Sequence, residues 1–307
     1  MPTVSVIIPT YCASRYLEPL IHALRTQTCP PDEIIIIDSS SSDGTAEQAR
    51  ALGCQVMIIP KHEFNHGGTR NRAAKAAKGD ILVFMTQDAL PTDEHFISRL
   101  IQPIVEGVAS AAYARQTTPE DANPLEAFAR QFNYPLQSHT KSRADIRRLG
   151  VKAYFFSDAA SAIRRDIFWA VGGFADWVVV NEDMILCARL LQADHVIAYV
   201  AEAAVFHAHN YTLAQTFRRY FDIGVFMHQS REILIGAKSG GEGMRFARQQ
   251  FQHLWQQRKY GAATRSILES GLKWVAFQIG KRSEYLPRRL NRYLSAQKAY
   301  WNAQSQR

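Results

Sequence analysis

The chain has 307 residues, with 36 Lys and Arg against 28 Asp and Glu, a net charge of +8, and 47% hydrophobic against 21% charged residues. That balance excludes a disordered chain and leaves apolar material for one large domain with an appendage, or for two domains. Cys12, Cys29, Cys54 and Cys187 form no C-x-x-C pair, which excludes a disulfide framework or structural zinc site and suits a reducing cytoplasm; nor does the sequence show a cleavable leader or an apolar stretch near the ~18 residues of a membrane span.

Val4–Pro9 reads as a buried strand, and Tyr16–Thr26 as a helix with Leu17, Leu20, Ile21 and Leu24 at helical spacing. Glu33–Asp38 holds four consecutive isoleucines, Ile34 to Ile37, which suits a parallel strand covered on both faces. Thr45–Leu52 predicts a short helix, Gln55–Pro60 a third strand, Gly67–Lys78 an Ala-rich helix and Asp80–Met85 a fourth strand. Strands alternating with helices make βαβ units, so the N-terminal half is an α/β domain with a mostly parallel sheet. Residues 117–152 are polar, with Pro119, Pro124 and Pro135, and predict an irregular connection with a helix near Leu125–Phe132; order resumes over Tyr154–Arg164. From Tyr211 the pattern is helical to the end, Leu213, Phe217, Tyr220 and Phe221 marking one apolar face and Ile267, Gly271, Leu272, Val275 and Ile279 another.

The charge is unevenly placed. Residues 214–307 hold 17 Lys and Arg and 5 Asp and Glu, net +12, while residues 1–213 are net −4. A mildly acidic catalytic or binding region followed by a surface-seeking basic segment is expected.

Ligands bind open parallel sheets at the carboxyl ends of strands. Here those ends carry Pro9-Thr10-Tyr11, then Asp38 and Ser40 in a Ser-rich turn closed by Asp43-Gly44, and Thr86-Gln87-Asp88; His66-Gly67-Gly68-Thr69-Arg70 opens the Ala-rich helix. Singly, Asp38 and Asp88 read as turn or cap residues, Gly67 as a tight helix entry and Arg70 as a solvated first-turn residue. Together they supply a base or ribose contact, a cation and a metal-ready carboxylate, the needs of a nucleotide diphosphate. Residues 9–14, Pro-Thr-Tyr-Cys-Ala-Ser, lack the G-x-G-x-x-G of a dinucleotide fold, and no Gly-Lys-Ser/Thr phosphate loop is present.

Val4-Ser5-Val6-Ile7-Ile8-Pro9-Thr10-Tyr11, Ile37-Asp38 with its serine run, Asn65–Asn71, Thr86-Gln87-Asp88, Gly172-Gly173-Phe174 and Asn181-Glu182-Asp183, in that order over roughly residues 3–210, resemble a family 2 glycosyltransferase of GT-A fold. The wording of Phe64–Asn71, Thr86–Asp88 and Phe156-Ser157-Asp158 is similar to the bacterial rhamnosyltransferase branch. The resemblance implies an inverting transferase acting on a growing surface polysaccharide, with dTDP-L-rhamnose as donor and a lipid-linked or oligosaccharide acceptor. It assigns Pro9, Thr10, Tyr11, Asp38, Ser40, His66, Gly67, Arg70, Gln87, Asp88 and Asp158 to the donor side. Two departures stand out: Cys12 replaces the usual Asn, and Thr86-Gln87-Asp88 replaces D-x-D, leaving one carboxylate for a weakly held Mg²⁺ or Mn²⁺.

Glu182 and Asp183 sit where a helix starts, which favours its dipole. The resemblance gives this pair the general base, with Asp183 preferred because adjacent residues at a helix start face different directions. His207 and His209 alternate as in a strand. As a bare motif they read as a structural or surface pair, while the resemblance allows His207 to face the diphosphate or its metal.

Trp255, Trp274, Tyr285, Tyr293, Tyr300 and Trp301 are interleaved with Lys259, Lys273, Lys281, Arg282, Arg288, Arg289 and Arg292. That mixture suits the inner surface of an anionic membrane, and a homo-oligomer interface is the plainer alternative. The expected organisation is a GT-A domain over 1–212, its donor half about 1–116 and acceptor half about 153–212, followed by a basic helical region over 213–307. A UDP-hexose or other nucleotide donor, and a nucleic-acid-binding or scaffold protein, are the competing readings; specific nucleic-acid binding is not expected.

Overall fold

Ile34, Ile35, Ile36 and Ile37 are all buried because their strand is covered on both faces. Ile35 and Ile37 join Ile7 and Phe84 in one buried cluster, and Ile34 and Ile36 join Val6, Ile8 and Val83 in the other. The computed structural model describes residues 2–234, 236 and 241–303, so positions 235, 237–240 and 304–307 of the expected C-terminal region lie outside the described residues.

The strands are β1 (Val4–Thr10), β2 (Glu33–Asp38), β3 (Gln55–Ile58), β4 (Ile81–Met85), β5 (Leu90–Pro91), β6 (Ala111–Thr117), β7 (His139–Lys141), β8 (Ala160–Arg164) and β9 (Ile197–Phe206). Among the described residues they form one sheet in the order β3-β2-β1-β4-β8-β6-β9-β5, with β7 also paired to β9. The expected parallel pairing holds for β1 to β4, and again for β6 with β9. Strand β8 runs against β4 and β6, and β5 and β7 run against β9, so the whole sheet is mixed.

The helices are α1 (Ser14–Arg25), α2 (Thr45–Ala51), α3 (His66–Ala76), α4 (Phe96–Val105), α5 (Pro124–Asn133), α6 (Ile146–Leu149), α7 (Arg165–Ala170), α8 (Glu182–Gln192), α9 (Leu213–Gln229), α10 (Glu242–Gln256), α11 (Tyr260–Gly280), α12 (Arg288–Leu294) and α13 (Lys298–Ala303). Residues from α1 and α4 fill one side of the sheet and residues from α3, α8, α9 and α11 the other. Phe221, Val225 and Phe226 of α9 and Ala276 of α11 thus share a core with Ile7 and Phe84 of the sheet.

The apolar face expected on α11 turns out differently. Ala263, Ser266, Glu269, Ala276 and Gly280 face inward, whereas Ile267, Leu268, Trp274 and Val275 are 44–65% exposed. The crossing with α9 selects small residues: a Cβ on Gly280 would meet the Phe221 carbonyl oxygen at 2.0 Å, and one on Gly224 would meet that of Phe277 at 2.3 Å. On α9 itself Leu213 is exposed, and at the C-terminus Trp301 is buried instead of joining the outer aromatic set.

Candidate active site

Strands β1, β2, β4, β6 and β9 run the same way, so their carboxyl ends share one edge of the sheet, joined there by the amino end of the reversed β8. Thr10, Asp38, Asp88, Gln116, Asp158 and His207 therefore converge although they span 198 residues of sequence. A cavity of about 700 Å³ lined by Lys75, Asp80, Arg164 and Asp166 lies at the opposite, amino-terminal edge.

At the end of β1, Thr10 Oγ1 donates to Asp38 Oδ1 at 2.9 Å, and Ser41 donates to the same carboxylate from its backbone N–H and hydroxyl. Asp38 is buried and organises the turn after β2; Ser40, with a left-handed φ of 56°, donates its hydroxyl to the Ile59 carbonyl. Pro9 is half-buried and Tyr11 is 41% exposed, its ring under Lys61, whose Nζ lies 4.2 Å from the ring centroid. Gln87 clamps the Tyr11 backbone, accepting from its N–H at 2.9 Å. Cys12 also has a left-handed φ, 50°, a conformation Asn tolerates better than most residues, which accounts for the Asn more usual there.

The Asn65–Asn71 segment proves to be a dock. Asn65 caps α3 through Gly68 N–H and donates to the Asp176 carbonyl, while Asn71 accepts from Phe174 N–H and donates to its carbonyl. Gly67 is expected to touch donor, but it marks a close backbone approach: a Cβ there would lie 2.1 Å from the Ala175 carbonyl oxygen. This seam carries Arg70 to the acidic residues of α8.

Arg70 is likewise not a solvent-facing phosphate contact. It is 3% exposed, with Nε 2.9 Å from Asp158 Oδ2 and Nη1 donating to Glu182 Oε1 at 3.2 Å. His66 Nδ1 lies 3.9 Å from the same Glu182 oxygen. Glu182 is therefore a buried ion-pair partner, whereas Asp183 is partly accessible. Asn181, left-handed at φ 61°, turns the chain so that both acids enter α8 in its first turn.

Burial pushes the Asp183 carboxyl well above the usual carboxylate range, and the charges of Asp158 and Glu182 add to this. Asp158 is pushed up to about 6 by burial and by Glu182, with Arg70 opposing. A recessed carboxyl with a raised affinity for a proton suits general-base chemistry.

Asp88, His207 and His209 present ligand atoms within 4.8 Å of one another. His207 Nε2 is 3.4 Å from Asp88 Oδ1 and His209 Nδ1 is 3.7 Å from Asp88 Oδ2. The histidines do not alternate along a strand, since β9 ends at Phe206. They converge from an irregular segment with their rings edge to face, 4.5 Å apart. Burial opposes ionisation of Asp88, but the His207 hydrogen bond and charge, with His209 and Thr86, outweigh it and hold the carboxyl down at about 2. Burial and the His207 charge hold His209 at about 4, leaving its ring neutral and its lone pair free. Two imidazoles and one carboxylate fit a divalent cation, and the nitrogen content suits Mn²⁺ better than Mg²⁺.

Sequence reasoning left His209 as a structural residue and missed Gln116 and Arg219. Arg219 is an exposed cation on α9 stacked over Tyr211 at 5.6 Å and near enough to affect both His66 and His209. An Arg pair one turn into the helix that follows the histidines was the available signal. Beyond His209, a groove of about 560 Å³ is lined by Asn210, Asp121, Asn123 and, from α11, Arg265.

The family model for glycosyl transferase family 2 matches residues 5–172. The chain is 41% identical over 306 residues to the O-antigen chain rhamnosyltransferase WbaN of Salmonella anatum, covering 98% of this chain and 96% of that protein. It is 40% identical to RfbN of Salmonella typhimurium, also an O-antigen chain rhamnosyltransferase, over 97% and 96% of the two chains. Among solved structures, the mannosyltransferase PcManGT of Pyrobaculum calidifontis with GDP-Man and Mn²⁺ superposes with a TM-score of 0.57 at 17% identity, covering 99% of this chain and 86% of that one. TarS of Staphylococcus aureus with UDP-GlcNAc superposes with a TM-score of 0.60 at 17% identity over 99% and 92%. These neighbours share the GT-A-like fold, and the chain is a glycosyltransferase that belongs to glycosyl transferase family 2.

Proposed function

We propose that this enzyme transfers L-rhamnose from dTDP-L-rhamnose to a hydroxyl of a growing surface polysaccharide, with inversion at the transferred carbon. The observation that carries this reading is the 41% identity, over 98% of the chain, to a protein named as an O-antigen chain rhamnosyltransferase. The site geometry supports it from the acceptor side. Asp183 takes the hydroxyl proton onto its carboxylate as the new C–O bond forms and the bond to the nucleoside diphosphate breaks on the opposite face. Arg70 pairs with Glu182 and Asp158, so the proton goes to Asp183, the partly accessible acid of the cluster.

On the donor side, Tyr11 offers its ring as a stacking surface for the base, with Lys61 over one face. Asp88, His207 and His209 would hold a divalent cation, Mn²⁺ in preference to Mg²⁺, which when bound offsets charge on the departing diphosphate. Arg219 supplies the exposed cation that the sequence assigned to Arg70. The groove beside Asn210, lined by both polar and apolar residues, accommodates the acceptor saccharide.

A lipid-linked acceptor would favour attachment of the enzyme to the cytoplasmic face of the inner membrane. Trp255, Tyr260, Trp274, Tyr285 and Tyr293 are each at least 51% exposed, and Arg282, Arg289 and Arg292 are exposed as well, a set of side chains suited to anionic headgroups. No described helix is long and apolar enough to cross a membrane.

Transfer from a panel of nucleotide sugars to a lipid-linked oligosaccharide tests the reading. Product from dTDP-L-rhamnose alone supports it, and preferential use of a UDP-hexose overturns the donor assignment. Flotation with anionic but not neutral vesicles supports the surface assignment. A salt-independent dimer that ignores vesicles makes that face a subunit interface instead.

A further inference from the structure

We propose that Gln116 is a positioning residue that sets the tautomer of His207 and thereby aims the His207 Nε2 lone pair at the cation site. The inference rests on the reading of Asp88, His207 and His209 as that site. Gln116 lies near the carboxyl end of β6 and is 3% exposed.

Three hydrogen bonds fix its amide. Arg130 Nη1 donates to Gln116 Oε1 at 2.6 Å, Gln116 Nε2 donates to Ser157 Oγ at 2.7 Å, and Oε1 lies 2.8 Å from His207 Nδ1. A guanidinium has donors only, so the Gln116 atom facing Arg130 must be the oxygen; a flipped amide would set its NH₂ against another N–H. The oxygen facing Arg130 is also the atom facing His207, and it can only accept. His207 Nδ1 therefore carries the proton and donates it. In the neutral ring Nε2 is then left bare, and it is this nitrogen that lies 3.4 Å from Asp88 Oδ1. Metal-binding histidines ordinarily have their other ring nitrogen held in this way by an acceptor, which fixes both tautomer and ring direction.

The chain of restraint extends outward. Arg130 is held on α5 by Glu126 at 2.7 Å, one turn earlier, and α5 is held against the C-terminal helices by Gln250, which donates to the Leu125 carbonyl at 3.0 Å. The other arm reaches Ser157, next in sequence to Asp158 of the acid cluster.

The test is ¹⁵N NMR of His207 in the metal-free protein, together with Mn²⁺ titration followed by electron paramagnetic resonance. At a pH where the His207 ring is neutral, the wild-type protein is expected to show a protonated Nδ1 and a bare Nε2. Gln116→Met is expected to shift the ring toward the Nε2–H tautomer and to weaken Mn²⁺ binding about 10- to 100-fold, whereas Gln116→Glu, which keeps the acceptor, retains both properties. A neutral wild-type ring whose single proton sits on Nε2 overturns the proposal without need of any variant. So does a folded Gln116→Met protein that keeps the wild-type tautomer and Mn²⁺ affinity. Absence of Mn²⁺ binding to the wild-type protein overturns the cation-site reading instead, and the tautomer result still decides the role of Gln116.

Discussion

Arg70 Nη1 donates to Glu182 Oε1 at 3.2 Å across 112 residues of sequence, inside the protein and within reach of Asp158 on its other side. One buried guanidinium thus offsets two buried carboxylates. Removing one partner of such a cluster leaves charge without compensation, which costs about 3–5 kcal/mol. Arg70→Met is expected to lose that much stability in urea unfolding. Arg70→Lys recovers only part, because an ammonium cannot replace the planar fork that faces two carboxylates. A fully stable Arg70→Met protein would show that the ion pairs contribute nothing.

Asp183 and its neighbours give the enzyme a readable acid limb. Burial and the charges of Asp158 and Glu182 raise the affinity of Asp183 for a proton, so the carboxylate form, the base of the proposed mechanism, is lost as pH falls through a value above the ordinary carboxylate range. Asp183→Asn is expected to reduce turnover about 10²- to 10⁴-fold with donor affinity little changed. Glu182→Gln removes one repelling charge and is expected to shift the acid limb of kcat/KM to lower pH. An acid limb that stays in place in Glu182→Gln argues that another group titrates there.

The βαβ half was legible because Ile34–Ile37 and the alternating apolar runs leave little choice of packing. The site was legible in its residues more than in its wiring. Asp88, His207 and Asp183 came from residue type at strand ends and helix starts, and from the ordered motifs. The packing of Gly67 and the buried pairing of Arg70 were not legible, because local sequence cannot reveal that residues 65–71 dock on residues 173–176, more than 100 positions away. His209 was undervalued because the resemblance gave a role to His207 alone, while the structure brings both rings to Asp88 from the irregular segment after β9. On α11 the larger apolar residues looked like the core face, yet the close α9 crossing chose Ala276 and Gly280.

The donor set of Asp88, His207 and His209 predicts how the enzyme responds to metal removal. Chelation is expected to abolish transfer, and Mn²⁺ to restore it better than Mg²⁺, because imidazole nitrogen favours Mn²⁺ over a strictly oxygen-seeking ion. His209→Ala leaves one nitrogen and one carboxylate, so the Mn²⁺ preference is expected to narrow and Mn²⁺ affinity to fall about 10-fold or more. Restoration by Mg²⁺ equal to that by Mn²⁺ in the wild-type enzyme counts against ligation by both histidines.

Asp222 provides a stability prediction away from the chemistry. It is 1% exposed on α9, where Oδ2 accepts the Ala296 N–H at 2.9 Å. Burial pushes its carboxyl up to about 6, against the opposing effect of the Ser295, Ala296 and Gln297 hydrogen bonds. Between about pH 4, where the unfolded group titrates, and about 6, the folded protein holds the extra proton. Stability contributed at this site is therefore present at low pH and is lost as pH rises through that window, and above about 6 the full cost of a buried charge remains. Asp222→Asn keeps an acceptor for the Ala296 N–H and cannot ionise. It is expected to be as stable as wild type near pH 4 and about 1–3 kcal/mol more stable near pH 8, which thermal unfolding at the two pH values reads directly. An equal difference at both pH values would mean that the substitution acts through packing and that the buried charge carries no cost.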